Sequence, residues 1–97
     1  MMTIDFGADG TIEIVGRLDA AQAPVAQAFL DQTNGIVTLN CSRLEYISSA
    51  GLGALLKTQK RLLASSGKLR LTEVSRHVKD ILDYSGFDQI FEIQGVI

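Results

Sequence analysis

The chain has no tryptophan, and its 97 residues include one cysteine, one proline and one histidine. A lone Cys41 excludes an internal disulfide. Its place just after the apolar run Ile36-Val37-Thr38-Leu39 suits a small buried thiol and a reducing, cytoplasmic setting. No apolar run approaches the roughly 18 residues that a membrane span requires. The opening Met1-Met2-Thr3-Ile4-Asp5 lacks the basic-then-apolar order of a signal peptide, so a soluble protein without membrane insertion is expected. His77 has no cysteine or second histidine at ligand spacing, which argues against a metal site and a Ser-His-Asp triad alike. A formal net charge of −2 gives no electrostatic reason for binding DNA.

What is present is the composition of one ordinary globular domain, 1–97, with 46% apolar and 21% charged residues. A chain of this size buries roughly 65% of the surface its unfolded form exposes, enough for a two-layer fold without staples. The charges are unevenly placed. Residues 1–50 carry six acids against Arg17 and Arg43, whereas residues 51–97 carry seven bases against five acids. A mixed, solvated surface accounts for this most simply, although such an asymmetry could also orient a protein partner.

Thr3-Ile4-Asp5-Phe6 and Thr11-Ile12-Glu13-Ile14-Val15 alternate, and Gly7-Ala8-Asp9-Gly10 between them has turn chemistry, which predicts a β-hairpin. Gly16-Arg17-Leu18-Asp19 is then expected to leave the sheet. Ala21, Val25, Ala28 and Phe29 recur at helical spacing. Pro24 is tolerated best at a helix start, so the helix should start there, after a looser turn from Asp19, and run to about residue 32. After Asn34-Gly35, residues 36–40 read as a central strand and 42–47 as a short approach segment. Leu52, Leu55, Leu56, Leu62 and Leu63 mark the inner face of a second helix lasting to about residue 65, with Lys57, Lys60 and Arg61 on its polar face. Lys68-Leu69-Arg70-Leu71-Thr72 alternates as another strand. Ser75 is a candidate N-cap for a third helix that buries Val78, Ile81 and Leu82 and ends at Gly86. A last short strand is expected near 90–93. The order ββαβαβα(β) gives an α/β fold, a mixed sheet of four to five strands with three to four helices on one side.

One stretch carries chemistry: Tyr46-Ile47-Ser48-Ser49-Ala50-Gly51-Leu52-Gly53 passes from a strand through two hydroxyls into a helix. Either serine can cap that helix. A phosphate at the same place would meet free N–H groups and the positive end of the helix, so the modified chain would keep its fold. Gly51 and Gly53 each cost about 1 kcal/mol of helix stability relative to alanine. Two such losses in one opening turn imply either packing against the sheet or the close approach of another backbone.

Ile47-Ser48-Ser49-Ala50-Gly51-Leu52-Gly53 resembles the Asp-Ser-Ser/Thr-Gly-Leu-Gly signature of bacterial anti-sigma factor antagonists, which are single STAS domains. Gly16-Arg17-Leu18-Asp19 is similar to their turn after the second strand. The run from Val74 to Phe87 is similar to their closing helix and its Gly-Leu/Phe ending. The resemblance implies that Ser49 is the phosphate acceptor, with Ser48 standing where the family has aspartate and serving as the second candidate for modification. It further implies a docking surface drawn from Asp19, Ser48, Ser49, Ala50, Gly51, Leu52, Gly53 and Lys57. The face of Lys57, Lys60 and Arg61, about two turns beyond Ser49, is most simply a solvated helix face, with a share in that docking surface as the alternative. The partners implied are a GHKL-type Ser/Thr kinase acting as anti-sigma factor and a phosphatase that resets the serine. No cofactor is implied, and both a monomer and a weak dimer are compatible. The neutral Ser48 also leaves room for a second implication, a fixed STAS interaction subunit of a transporter, lipid-trafficking or signalling assembly.

Enzyme signatures fail on inspection. Gly51-Leu52-Gly53-Ala54-Leu55-Leu56-Lys57-Thr58 nearly spells a phosphate-binding loop, but Leu56 replaces the glycine before the lysine, where phosphate needs bare backbone. Leu56 also occupies the third glycine of a dinucleotide fingerprint. A non-enzymatic switch protein is the expectation.

Overall fold

The two alternating runs at the start of the chain pair as predicted. In the computed structural model, which describes residues 1–97, β1 (Met2–Phe6) and β2 (Ile12–Leu18) form an antiparallel hairpin with Ile4 opposite Ile14. Next come α1 (Ala23–Leu30), β3 (Ile36–Ile47), α2 (Ser49–Ala64), β4 (Lys68–Val74), α3 (Arg76–Tyr84), a 3-10 turn at Phe87–Gln89 and β5 (Glu92–Val96). The five strands lie in sequence order, and every pair after the hairpin is parallel. Side chains alternate across a strand, so one face of the sheet collects Ile12, Ile14, Leu18, Val37, Leu39, Leu69 and Leu71. These join Leu30, Leu55, Leu62, Val78 and Leu82 from the helices in a single core. The opposite face carries Glu13, Arg17, Thr38, Asn40, Arg70 and Thr72, none of them buried.

The hairpin's second strand does not leave the sheet at Gly16. It continues to Leu18, because β3 is a single 12-residue strand that offers it a partner as far as Ile47. The expected break after residue 40 is a change of phase. Opposite Glu13–Val15, and again opposite Gly16–Arg17, β3 uses one residue more than β2, as a β-bulge does. Ser42 and Arg43 therefore both face solvent, Leu44 returns to the core out of step with Leu39 and Cys41, and the second bulge brings Ile47 back into step with them.

α1 turns inward a different face from the one that the spacing marks. Ala23, Ala26 and Leu30 point inward, while Ala28 is exposed and Val25 is 53% exposed; Ala21 lies exposed in the turn before the helix, and Phe29 is half-buried against Phe6, with ring centroids 5.2 Å apart. The helix is apolar nearly all round, with Gln27 its one polar residue, so periodicity alone could not choose the face. The turn before it decides. The N–H groups of Gln22 and Ala23 both donate to the Asp19 carbonyl, and that of Gln22 also meets Asp19 Oδ1 at 3.1 Å.

Within α2, Leu52, Leu55 and Leu62 are buried as expected, but Leu63 is 55% exposed and Leu56 only half-buried. Ala54, Thr58 and Gln59 take the inner positions instead. Gln59 satisfies its amide by accepting from Leu69 N–H at 2.6 Å and donating to the Ile90 carbonyl at 2.8 Å. Arg61 is not part of a solvated face with Lys57 and Lys60. Its guanidinium donates to the carbonyls of Leu30 and Thr33 at 2.9 and 2.8 Å, closing the end of α1. α3 begins at its predicted cap, with Ser75 Oγ accepting from Val78 N–H at 3.2 Å. It buries Val78 and Leu82, leaves Ile81 half-buried, and ends before Gly86, whose φ of 74° is the left-handed conformation expected there.

Candidate functional site

Ile47 ends β3 beside Leu18, the last residue of β2. The next residues, Ser48 and Asp19, therefore leave the sheet from neighbouring strands at its carboxyl edge. Ser48 is fixed three times over. Its N–H donates to the Leu18 carbonyl at 2.9 Å, its carbonyl accepts from Leu52 N–H at 2.8 Å, and its Oγ accepts from Gly51 N–H at 3.2 Å. With an extended backbone (φ −90°, ψ 173°) it is the N-cap of α2, and it is half-buried.

Because Ser48 holds the cap, Ser49 is released from it. Ser49 is the first helical residue and is exposed, and its hydroxyl makes no hydrogen bond within the chain. The first turn of a helix has N–H groups without intrahelical acceptors. Gly51 N–H is met by the cap and Leu52 N–H by the Ser48 carbonyl, so those of Ser49 and Ala50 remain for an incoming anion. No acidic residue lies in this first turn to repel one.

The two glycines that follow differ in kind. A Cβ on Gly51 would lie 2.7 Å from both the carbonyl oxygen and Cγ of Leu18 and 3.0 Å from Ile47 Cγ1. Close packing of α2 on the strand ends therefore requires glycine there. A Cβ on Gly53 would meet nothing within 4 Å, and Gly53 is exposed.

Of the eight residues expected to form a docking surface, Ser49, Ala50, Gly53 and Lys57 are exposed and share one side of α2. Ser48 and Asp19 are half-buried at its edge, with the Asp19 carboxylate engaged by its own turn. Gly51 and Leu52 are buried, so they seat the helix and present nothing outward. Lys57 and Lys60 are exposed and unpaired, since the salt bridges lie elsewhere, at Lys68–Glu92, Arg70–Glu92 and Lys79–Asp83. The role of Arg61 in closing α1 had no local signal, because it depends on a contact 31 residues away in the chain.

Other reactive groups are poorly placed for chemistry. Burial pushes the Cys41 thiol up to about 12, so it stays protonated and unreactive at neutral pH. His77 is exposed at the start of α3, and no three His, Cys, Asp or Glu side chains gather into a metal-binding group. No helix is long and apolar enough to cross a membrane.

Comparison with known proteins gives the family and the fold. Residues 3–95 match the family model described as "Mlab, STAS domain". A Bordetella bronchiseptica protein bearing the name anti-sigma factor antagonist BtrV is 38% identical over 82 residues, which cover 80% of this chain and 71% of that protein. Among solved structures, an anti-sigma factor antagonist of Thermotoga maritima superposes with a TM-score of 0.79 at 20% identity, covering 99% of this chain and 87% of that one. The Bacillus cell fate determinant SpoIIAA, solved in its phosphorylated form, superposes with a TM-score of 0.66 at 20% identity, covering 96% and 90%. The two structures share the fold, and the family model and the Bordetella relative carry the assignment: this chain belongs to the STAS domain family, in its group of anti-sigma factor antagonists.

Proposed function

We propose that this antagonist works by partner switching under the control of Ser49. The observation that carries the reading is the division of labour between the two serines. Ser48 occupies the cap, and Ser49 stands free and exposed beside the positive end of α2. The unmodified chain docks through the outer side of α2 on a GHKL-type Ser/Thr kinase that otherwise sequesters a sigma factor. The kinase then transfers the γ-phosphoryl group of ATP to Ser49. A bond forms from Ser49 Oγ to phosphorus, the bond from phosphorus to the β–γ bridging oxygen breaks, ADP leaves, and the hydroxyl proton passes to a base on the kinase. A phosphatase restores the serine by hydrolysis, releasing inorganic phosphate.

Phosphate adds about −1.5 to −2 charge at neutral pH. The free chain tolerates it, because the N–H groups of Ser49 and Ala50 can bond its oxygens and the helix end favours negative charge. A docked surface tolerates it far less, since a charge stripped of water without a partner is costly. The fold is therefore kept while the complex is broken. That SpoIIAA has been solved in a phosphorylated and an unphosphorylated form is consistent with such a cycle on this fold. The test is the affinity of variants for the kinase purified from the same host. Ser49→Ala should bind constitutively and Ser49→Asp at least tenfold more weakly; equal affinities would defeat the proposal.

A second reading, a fixed interaction subunit that is never phosphorylated, is favoured by one residue. Ser48 stands where the family signature has an acid, and a neutral hydroxyl used up in capping adds no negative charge beside the acceptor. Under that reading wild type, Ser49→Ala and Ser49→Asp all hold their partner equally.

A further inference from the structure

The contrast between Gly51 and Gly53 assigns the second glycine a role outside the chain. Gly51 is demanded by Leu18 and Ile47, whereas Gly53 sits inside a 16-residue helix, exposed, with open space where a side chain would be. Glycine within a helix lowers stability relative to alanine, and no neighbour in this molecule needs the bare backbone at residue 53. Gly53 lies one turn from Ser49 and Ala50 and one turn before Lys57, all on the exposed side of α2. We infer that Gly53 is a specificity-determining residue, the point where the main chain of the docked kinase crosses α2 more closely than a Cβ permits. This rests on the partner-switching reading and deepens it. The missing side chain forms a notch between Ala50 and Lys57, so the crossing segment lies within reach of Ser49 on one side. On the other it can present a carboxylate to Lys57, which has no acid of its own chain. A notch of this kind rejects by steric clash any partner that cannot bring its backbone so close, which gives selectivity at the expense of helix stability.

Two properties should then move in opposite directions. Gly53→Ala should raise the melting temperature by roughly 4–8 °C, and Gly53→Gln should raise it by somewhat less. Both should slow phosphorylation of Ser49. The purified chains are incubated with ATP in extract of the native host containing a Ser/Thr phosphatase inhibitor, and the initial rate of phosphate gain at Ser49 is read by mass spectrometry. A fall of about threefold for Gly53→Ala and tenfold or more for Gly53→Gln is expected. A stabilising change away from the face serves as control: Ser66→Gly, at a residue with φ of 67° just beyond α2, should keep the wild-type rate. Wild-type rates in both Gly53 variants, or a Gly53→Ala chain less stable than wild type, would overturn the inference. A wild-type chain that gains no phosphate refutes the partner-switching reading itself and takes this proposal with it.

Discussion

α2 and α3 open in the same way and are put to different use. Each is entered through a serine with extended backbone whose hydroxyl accepts from the third helical N–H, at 3.2 Å in both cases. Beyond the cap they diverge. In α3 the first two helical residues are the exposed Arg76 and His77, and the third, Val78, is a core side chain. In α2 they are the exposed Ser49 and Ala50, and the third, Gly51, is pressed on the Leu18 carbonyl. A serine cap is thus no sign of a functional site. What distinguishes α2 is a second hydroxyl left over once the cap is filled, on an uncharged turn seated tightly on the sheet.

The sharpest way to break this contrast is at the third helical residue. Gly51→Ala forces a methyl group against backbone that cannot retreat and should destabilise the fold by about 2–3 kcal/mol. In α3 the same loss comes from the opposite change in volume. Val78→Ala removes buried methyl groups and should cost about 2 kcal/mol through lost burial. Urea unfolding of both variants measures this, and a neutral Gly51→Ala would mean that α2 is free to shift on the strands.

A smaller and symmetric effect is expected at the caps. Ser48→Ala and Ser75→Ala should each lose about 1 kcal/mol, because both bonds have the same geometry. A Ser48→Ala chain at wild-type stability would show that Ser49 takes over the cap, and the division of labour would fail. Smallest are the charges at the first helical residue. Ser49→Asp and Arg76→Asp should each add about 0.3–1 kcal/mol by placing an anion at a helix N-terminus. Ser49→Ala should change stability by less than about 0.5 kcal/mol, because its hydroxyl has no partner in the chain. Melting curves at low salt separate these cases. The comparison then sharpens on binding, where Ser49→Asp should weaken the kinase complex and Arg76→Asp should leave it unchanged.

Much of this was legible in the sequence because it is local. Turn residues between two alternating runs specify the hairpin, Ser75 three residues before Val78 specifies a capped helix, and Ser48-Ser49 before a leucine-rich stretch specifies the entry to α2. What was illegible depends on distant contacts or on broken phase. The upper half of β3 was hidden because two bulges shift its alternation, so residues 42–47 read as a separate approach segment while belonging to the same strand. The face of α1 stayed open because a helix with a single polar residue has no phase of its own, and the Asp19 turn supplies one. Arg61 looked like one more surface cation beside Lys57 and Lys60 until the end of α1 was brought to it. At the site, sequence placed both serines at the helix entry and left open which would cap. Geometry assigns that to Ser48, and it turns Gly51 and Leu52 from the expected docking surface into the seat beneath it.

The central claim is that the hydroxyl left free by the cap is the one that accepts phosphate. Intact mass and site mapping of the chain isolated from its native host test it directly. The account predicts a population heavier by one phosphate, with the group on Ser49 and none on Ser48. Phosphate found on Ser48, or a chain that stays unmodified under every growth condition in which its partner is made, would contradict it.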